Sequence, residues 1–437
     1  MSDRQRILIA GTGPASIQMA VLLKGRLDCC IGIVGRRSVR SEPFFAALER
    51  NDQRIRVDIQ NEKHLALRGE CRIDHVFQGY DSVQGQWDTV ILAVTADAYT
   101  KVLEQLDAGV LRQLRCVALL SPTFGSGALI RHWMNSRHSQ AETISFSTYL
   151  GDTRWADARP SSNAITTGVK RKVFIGSTRA PSRQVEQLRT LYESSGIALE
   201  VMNSPIEAEA RNISLYVHPP LFMNDFTLSA VFDEASARKY VYKLFPEGPI
   251  TPQLIRSMLA AWREISAIGE RLHLNGVNLL KFMTDDNYPV RPESLSRHDI
   301  EQFVRLEAIH QEYLLYVRYA SLLIDPYSEP DRDGKYFDFS AVPIRSIFRN
   351  KEGLWDIPRM PKEDYYRIKI LQGIARRLDS ACPTLDLFIA TYERSLAEAA
   401  LKLAGEPLSD AFALQSFEED IERICKEIGI HQSRTPT

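Results

Sequence analysis

The sequence has few cysteines and no excess of charge of one sign. Its six cysteines include no CxxC pair and have no regular spacing, which indicates buried thiols rather than a disulfide framework. Basic residues number 54 and acidic residues 55, so the formal net charge is −1. The chain as a whole therefore lacks the electrostatic attraction that nucleic acid or an anionic membrane requires, and any phosphate must be bound by a local cluster.

Long apolar runs are also absent. No stretch approaches the roughly 18 apolar residues that a membrane span needs. The first residues, MSDRQRILIAG, pass from charged residues directly into a strand-like run, without the apolar core of a signal peptide. We therefore expect a cytoplasmic protein with neither a membrane nor a nucleic-acid partner.

The composition is that of a packed globular protein, with 44% hydrophobic and 25% charged residues. A chain of 437 residues exceeds the usual size of a single hydrophobic core, so two domains are expected.

The first 200 residues alternate short apolar runs with helical segments. The runs typical of strands lie at 6–10, 29–34, 89–94, 117–120, 144–150, 172–175 and 197–202, and the segments typical of helices include 17–23 and 182–194. The fourth run continues into the glycine-containing segment SPTFGSG at 121–127. This alternation predicts an α/β domain of Rossmann type, with a doubly wound parallel sheet.

From about residue 249 the apolar residues recur at three- and four-residue spacing. This pattern at 251–272, 297–323 and 362–404 predicts a mainly α-helical C-terminal domain, and its long amphipathic helices favour a homodimer. We place the boundary between 204 and 205, which gives an α/β domain at 1–204 and a mainly helical domain at 205–437.

A glycine turn joins the first strand to the first helix. The hexapeptide comprises Gly11, Thr12, Gly13, Pro14, Ala15 and Ser16. In the dinucleotide fingerprint GxGxxG, the first glycine permits a tight turn and the second lets the backbone approach a pyrophosphate at the helix N-terminus. Ser16 replaces the third glycine, and a small residue there still permits close packing of the helix on the strand. The position between strand and helix predicts cofactor binding.

The turn after the second strand indicates which nicotinamide cofactor is bound. An acidic residue there contacts the ribose hydroxyls of NAD, whereas arginine pairs with the extra phosphate of NADP. Here the turn offers no carboxylate but carries Arg36, Arg37, Ser38 and Arg40. The guanidinium groups suit a phosphate, so NADPH is predicted. The alternative is a solvated basic loop.

One of the nine histidines, His218, lies at the start of the predicted second domain, in the segment Val217-His218-Pro219. Imidazole can exchange a proton near neutral pH while a carbonyl or imine exchanges hydride with nicotinamide. We predict that a ligand held between the domains meets His218. The alternative is a histidine that is hydrogen-bonded within a loop. The other histidines show no metal-ligand spacing, so no catalytic metal is predicted.

Several longer segments accompany the glycine turn and the arginine-rich loop. They are NISLYVHPP at 212–220, YKLFPEGPITP at 242–252, DDNYPV at 285–290, QEYLLYVRYASLLIDP at 311–326 and DFSAVP at 338–343. Together they resemble the opine dehydrogenases of metallophore biosynthesis, the staphylopine, pseudopaline and yersinopine type, over roughly residues 5–395.

This resemblance implies a reductive condensation. The primary amine of a histidine-derived aminobutyrate intermediate would attack an α-keto acid, with pyruvate favoured and 2-oxoglutarate possible, and NADPH would reduce the imine. The product would be an opine that chelates nickel, zinc, cobalt or copper. By resemblance, His218 is the general acid/base, and we nominate Asp338 as the carboxylate that orients it. Asp338 stands three residues before Ala341-Val342-Pro343, whereas wider opine dehydrogenases carry an acid directly before such a pair. The alternative for Asp338 is a turn residue.

Substrates of this kind carry several carboxylates and a cationic amine. Candidate ligands are Tyr149, Asp152 and Arg154 in the predicted loop after the fifth strand, and Asn224 after the His-Pro segment. Arg154 could bind a carboxylate and Asp152 an ammonium group. The alternative for these two is a surface ion pair.

Two other functions remain open from the residues. One is a ketopantoate-reductase-like or hydroxyacid dehydrogenase that reduces a keto acid without an amine. The other is a non-catalytic NADP-binding regulator, because a Rossmann fold does not imply turnover.

Overall fold

The computed structural model describes residues 4–430, apart from 158, 234–237, 288–289, 324–329, 331, 335–337 and 339. Parts of three segments that carry the resemblance, at 288–289, 324–326 and 339, lie outside the described residues. The chain forms two compact units. Unit 1 comprises Met1–Asn212 with Lys426–Ile428, and unit 2 comprises Ile213–Cys425 with Gly429–Thr437.

The described residues contain strands in both units, most of them in unit 1. In chain order these are β1 (Gln5–Ala10), β2 (Cys29–Gly35), β3 (Arg54–Ile59), β4 (Gly69–Arg72), β5 (His75–Gln78), β6 (Thr89–Leu92), β7 (Cys116–Leu119), β8 (Glu142–Phe146), β9 (Gly151–Trp155), β10 (Asn163–Val169), β11 (Lys172–Ser177), β12 (Ala198–Met202), β13 (Phe348–Arg349) and β14 (Trp355–Asp356).

The described residues contain α-helices in both units, and the three helices of 19 or 20 residues lie in unit 2. In chain order they are α1 (Pro14–Arg26), α2 (Glu42–Arg50), α3 (Tyr99–Glu104), α4 (Ala108–Gln113), α5 (Ser126–Asn135), α6 (Arg183–Glu193), α7 (Pro205–Glu209), α8 (Ser214–Phe222), α9 (Asp225–Phe232), α10 (Pro252–Arg271), α11 (Leu279–Lys281), α12 (Arg297–Gln302), α13 (Ala308–Ala320), α14 (Arg359–Arg377), α15 (Pro383–Lys402) and α16 (Glu418–Glu427).

Unit 1 is built on an eight-stranded sheet with the order β12-β11-β8-β7-β6-β1-β2-β5. The neighbours run parallel except β8 and β11, which pair antiparallel. All seven residues of β2 are buried, as expected for a strand that is covered on both faces. The predicted α/β class with a doubly wound sheet and a mainly helical second part is confirmed.

A second sheet in unit 1 was not predicted. It has four strands in the order β4-β3-β10-β9. Helix α1 packs between it and the main sheet, and its residues 16–23 are all buried. The Gln18 side chain links α1 to the second sheet, because its Nε2 donates to the Leu67 carbonyl at 3.0 Å and its Oε1 accepts from Thr166 Oγ1 at 2.6 Å. Burial on all sides explains why α1 has no polar face.

The boundary between the units lies between Asn212 and Ile213, not between 204 and 205 as predicted. Helix α7, which the prediction gave to the second domain, packs on β8 and β11 of unit 1. Its last residue, Glu209, is completely buried and bonded within unit 1. The short helix therefore completes the first unit.

Unit 2 is mainly helical. Helix α8 packs against α10 and α14, and α14 packs against α15. The long helices α10 and α15 fall within the segments whose periodicity predicted helices, and α14 begins three residues before the predicted segment 362–404. None of the helices in the described part of the chain has the length and apolar content needed to cross a membrane.

Candidate active site

The glycine turn between β1 and α1 has the backbone geometry of a dinucleotide cradle. Gly11 has φ +138°, and a Cβ there would lie 2.5 Å from the Ala93 carbonyl oxygen, so only glycine fits. A Cβ on Gly13 would meet nothing within 4 Å, which leaves open space beside the backbone. The N-terminus of α1 has no side-chain cap and no acidic residue in its first turn. This helix end can therefore accept a phosphate group.

The other residues of the turn belong to the start of α1. Pro14 occupies its first position, where a missing N–H costs no helical hydrogen bond. Ser16 is completely buried, and a Cβ on Gly11 would lie 3.0 Å from its Oγ. A larger residue in place of Ser16 would therefore separate the helix from the turn. Thr12 and Ala15 remain partly accessible.

The loop after β2 presents three exposed arginines, but they differ in their contacts. Nη1 of Arg37 lies 2.9 Å from Oδ2 of Asp81, a residue of the segment that follows β5. Arg36 is close enough to Tyr80 to act electrostatically on its hydroxyl. The sequence analysis found no carboxylate at this turn because Asp81 is 44 residues from Arg37. Arg37 is therefore partly neutralised, whereas Arg36 forms no such ion pair with any of the described residues.

Ser38 and Arg40 complete the predicted phosphate loop. Oγ of Ser38 lies 3.1 Å from Oγ of Ser41 and accepts from the Ser41 backbone N–H at 3.3 Å. Oγ of Ser41 in turn contacts the Arg36 carbonyl oxygen at 2.5 Å. These bonds fix the backbone of the loop from which Arg36 and Arg40 project. Arg40 is exposed.

His218 lies in the middle of α8 and is paired with a buried carboxylate. Its Nδ1 lies 3.4 Å from Oδ1 of Asp364, and the Asp364 side chain is completely buried whereas that of His218 is 21% exposed. The ring of His218 packs at 5.3 Å from the ring of Phe222, one helical turn later. Nδ1 makes no hydrogen bond of good geometry within the described residues. The contact is thus a long one, of the kind that tightens when a substrate binds.

Asp364 also binds a buried arginine on its own helix. Nη1 of Arg367 contacts the same oxygen, Oδ1, that faces His218. Arg367 is 5% exposed and also lies 3.3 Å from Oε1 of Glu363. A buried carboxylate needs a partner of opposite charge, and Arg367 supplies that charge to Asp364. Oδ1 of Asp364 still faces the imidazole of His218.

The prediction that Asp338 orients His218 does not agree with the structure. Oδ2 of Asp338 lies 2.9 Å from Nζ of Lys243, and its Oδ1 accepts from the backbone N–H of Ser340 at 3.0 Å. Burial raises the pKa of the Asp338 carboxyl, but the bonds from Ser340 and Lys243 outweigh it and leave the pKa below its ordinary value. Both carboxylate oxygens are engaged in this loop, and Asp364 takes the place beside His218 instead.

The predicted loop with Tyr149, Asp152 and Arg154 is partly a strand, β9, of the second sheet of unit 1. Arg154 and Asp152 lie two positions apart on β9. Nη2 of Arg154 is 2.5 Å from Oδ2 of Asp152, and both side chains are largely exposed. The Tyr149 hydroxyl lies 2.7 Å from Oγ1 of Thr153. Burial raises the pKa of Tyr149 above its usual range. In this structure Asp152 and Arg154 form the surface ion pair that was the alternative to a substrate site.

Asn224 caps the N-terminus of α9. Its Oδ1 accepts from the Thr227 backbone N–H at 2.9 Å, and its Nδ2 donates to the carbonyl oxygens of Pro220 and Leu221 at 2.8 and 3.0 Å. Its amide is therefore occupied by the turn between α8 and α9. The same bonds hold the end of the helix that carries His218.

Asp364 was missed by the sequence analysis, although the sequence contains a signal. It lies three residues after Pro361 and four before Ile368, on the buried side of α14. An acidic residue within such an apolar stripe cannot be a solvated surface charge and needs a specific partner.

Comparisons with known proteins match this chain to one family over nearly its whole length. The sequence profile of the staphylopine dehydrogenase family matches residues 5–428. The chain is 45% identical over 430 residues to staphylopine synthase of Staphylococcus aureus (strain Mu50 / ATCC 700699), covering 98% of this chain and 99% of the relative. It is 36% identical over 390 residues to pseudopaline synthase of Pseudomonas aeruginosa (strain UCBPP-PA14), covering 89% of each.

A solved structure of yersinopine dehydrogenase with NADP+ bound is also similar, with a TM-score of 0.90 and 29% sequence identity over 98% of this chain and all of that chain. The resemblance inferred from the short segments is thereby confirmed, as is the oxidoreductase class. The chain belongs to the staphylopine dehydrogenase family.

Proposed function

We propose that this protein is an NADPH-dependent opine dehydrogenase of metallophore synthesis. It joins the primary amine of a histidine-derived aminobutyrate intermediate to the carbonyl carbon of an α-keto acid and reduces the resulting imine. The observation that carries the proposal is the pairing of His218 with the buried Asp364, within a chain of the staphylopine dehydrogenase family. The names of its relatives, which are staphylopine and pseudopaline synthases, support the choice of product class.

The residues of unit 1 fit a phosphorylated dinucleotide. Gly11 permits the tight turn, Gly13 leaves open space for a pyrophosphate at an uncapped helix N-terminus, and the arginine loop offers the guanidinium groups of Arg36 and Arg40 to a 2′-phosphate. The yersinopine dehydrogenase of similar fold was solved with NADP+. When bound, the cofactor supplies hydride to the imine carbon.

His218 is proposed to move the protons of the condensation. The ammonium group of the substrate must lose a proton before it attacks the keto carbon, and the hydroxyl of the adduct must gain one before it leaves as water. A carboxylate beside Nδ1 favours the tautomer with the proton on Nδ1, so that Nε2 is free to accept one. Asp364 thus orients the ring, in the manner of the acid of a catalytic triad.

The remaining parts of the proposal concern substrates and assembly. Pyruvate is the favoured keto acid, with 2-oxoglutarate as the other choice. Asp152 and Arg154 bind substrate only if their mutual ion pair opens, which makes them weaker candidates than His218. A cytoplasmic homodimer completes the proposal, and light scattering after size-exclusion chromatography tests the dimer.

The experiment that tests the proposed function is an assay of NADPH oxidation with keto acid alone, amine alone and both together. The proposal predicts oxidation only when both are present, with pyruvate faster than 2-oxoglutarate. Oxidation with keto acid alone would indicate a ketopantoate-reductase-like or hydroxyacid dehydrogenase. NADPH binding without oxidation under any of these conditions would indicate a regulator.

A further inference from the structure

Segment 121–127, SPTFGSG, contains two glycines. It follows β7 and leads into α5. In the main sheet β7 lies beside β6, which lies beside β1, while β2 with the arginine loop is on the other side of β1. A dinucleotide bound at the carboxyl ends of such strands crosses from one side of β1 to the other. A dinucleotide held with its phosphates at the β1 and β2 turns would have its nicotinamide half on the β6 and β7 side of β1.

This segment is bound by the carboxyl group of Glu209, the last residue of α7. Oε2 of Glu209 accepts from the Gly125 backbone N–H at 2.8 Å, and Oε1 accepts from the Gly127 N–H at 2.6 Å. Oε1 is also 2.6 Å from Oγ of Ser145 on β8, which donates to it. Glu209 is completely buried, and Gly127 is buried as well. One carboxyl group therefore ties the segment to the adjacent strand.

The space around Gly127 shows how closely the segment is held. A Cβ at Gly127 would lie 2.7 Å from Cβ of Pro205 and 2.9 Å from Oε1 of Glu209. Asn212 holds the other end, since its Nδ2 donates to the Pro122 carbonyl at 3.0 Å. Between the two anchors, Thr123 is 3% exposed and its Oγ1 has no hydrogen-bond partner within the described residues. The protein thus fixes the backbone of the segment but does not use this hydroxyl.

We infer that Glu209 is a positioning residue for the nicotinamide half of the cofactor, acting by holding segment 121–127 at the carboxyl end of β7. This inference rests on the cofactor part of the proposed function and is independent of which amine and keto acid react. Glu209 acts through the segment and not by contact with the cofactor.

The chemistry of the contact requires a carboxyl group rather than an amide. Both oxygens of Glu209 face backbone N–H groups. In glutamine one oxygen is replaced by an NH₂ group, which would face either Gly125 or Gly127 donor to donor. Burial raises the pKa of Glu209 to about 8, although the bonds from Ser145, Gly127 and Gly125 oppose this shift. A protonated carboxyl can still accept from both glycines while donating to Ser145, so either protonation state holds the segment, and glutamine does not.

The test compares Glu209→Gln with Glu207→Gln. Glu207 lies on the same helix and is buried, but it accepts from the backbone and side chain of Asn203, away from the segment. Binding of NADPH and of adenosine 2′,5′-bisphosphate, which lacks the nicotinamide half, is measured by calorimetry for the wild type and both variants. Thermal unfolding checks that each variant is folded.

We expect Glu209→Gln to weaken NADPH binding about tenfold while changing binding of adenosine 2′,5′-bisphosphate less than about twofold. Glu207→Gln should leave both unchanged. Ser145→Ala removes only one of the three bonds and should show the same selective effect at a smaller size, and it carries the test if Glu209→Gln does not fold. Equal weakening of both ligands, or none, would overturn the inference. A wild type that does not bind NADPH would instead contradict the cofactor assignment, and the inference with it.

Discussion

Oδ1 of Asp364 is shared between two side chains, lying 3.4 Å from Nδ1 of His218 and in direct contact with Nη1 of Arg367. The carboxylate comes from α14 and the imidazole from α8, two helices that pack against each other in unit 2. The pairing therefore depends on the helical core and not on a loop. In the proposed mechanism His218 is the acid/base group and Asp364 is the group that orients it.

Substitutions of His218 and Asp364 should lower turnover much more than a substitution of Asp338. His218→Ala should lower kcat by about 10²- to 10⁴-fold, the usual contribution of a general acid/base. Asp364→Asn should lower kcat as well, because the ring loses the carboxylate that orients it. Asp338→Asn should change kcat by less than about threefold, since Asp338 is paired with Lys243. Steady-state kinetics at saturating substrates measure all three. Nearly full turnover by His218→Ala would remove the acid/base role.

The arginine loop should discriminate between the two nicotinamide cofactors. Arg36→Ala should raise the KM for NADPH by about 10- to 100-fold and leave that for NADH nearly unchanged, because only NADPH carries the 2′-phosphate. Arg37→Ala should have a smaller effect, since Arg37 is already paired with Asp81. The KM values of both variants with both cofactors provide the check. A larger effect from Arg37→Ala than from Arg36→Ala would show that Asp81 gives up its partner to the cofactor.

Replacing the two glycines of the turn by alanine should cause different defects, one in stability and one in cofactor binding. Gly11→Ala forces a Cβ to within 2.5 Å of the Ala93 carbonyl oxygen at a positive φ, so the free energy of unfolding should fall by about 1–3 kcal/mol or more. Gly13→Ala meets no protein atom within 4 Å, so it should fold like the wild type and lose NADPH affinity. Thermal unfolding and calorimetric binding distinguish the two defects. If Gly13→Ala bound NADPH normally, the pyrophosphate would not lie at this turn.

The buried Lys170, which follows β10, should make stability depend on pH. Burial lowers the pKa of Lys170 from 10.5 to about 8. Between these values the unfolded chain binds more protons at this site than the folded chain does, so the free energy of unfolding should rise as the pH rises through this window. Between pH 7 and 10.5, the free energy of unfolding of the wild type should rise by on the order of 1–3 kcal/mol relative to that of Lys170→Met. Lys172→Met, at a partly exposed lysine paired with Glu200, is the control. Parallel pH curves for the wild type and Lys170→Met would contradict the prediction.

The parts of the fold that could be predicted are those in which local pattern and burial agree. The strand, glycine turn and helix at the start of the chain lie where the sequence placed them, because β1 and β2 are covered on both faces and appear as continuous apolar runs. The second sheet could not be predicted in this way. Strand β3 is buried only at alternate positions along much of its length, and it pairs with β10, which lies more than 100 residues later in the sequence.

The candidate site shows the same division. Short sequence patterns were enough to identify some of the site residues: the glycine turn for Gly11 and Gly13, and the His-Pro segment for His218. Asp364 is brought to His218 only by the packing of α14 on α8, and Asp81 reaches Arg37 only through the pairing of β2 with β5. The prediction for Asp338 was wrong for the same reason. Its position near a Val-Pro pair in the sequence does not show which charged side chain lies beside Asp338 in the folded chain, and that side chain is Lys243.

Reduction is proposed to occur at an imine made from two substrates, and the transfer of an isotope from the cofactor tests this proposal. The enzyme is supplied with the amine, pyruvate and NADPH deuterated at the transferable position, and the products are analysed by mass spectrometry. We expect a secondary amine with one deuterium on the carbon that was the keto carbon of pyruvate, and loss of this product in His218→Ala. Deuterium in lactate, with no secondary amine formed, would contradict it.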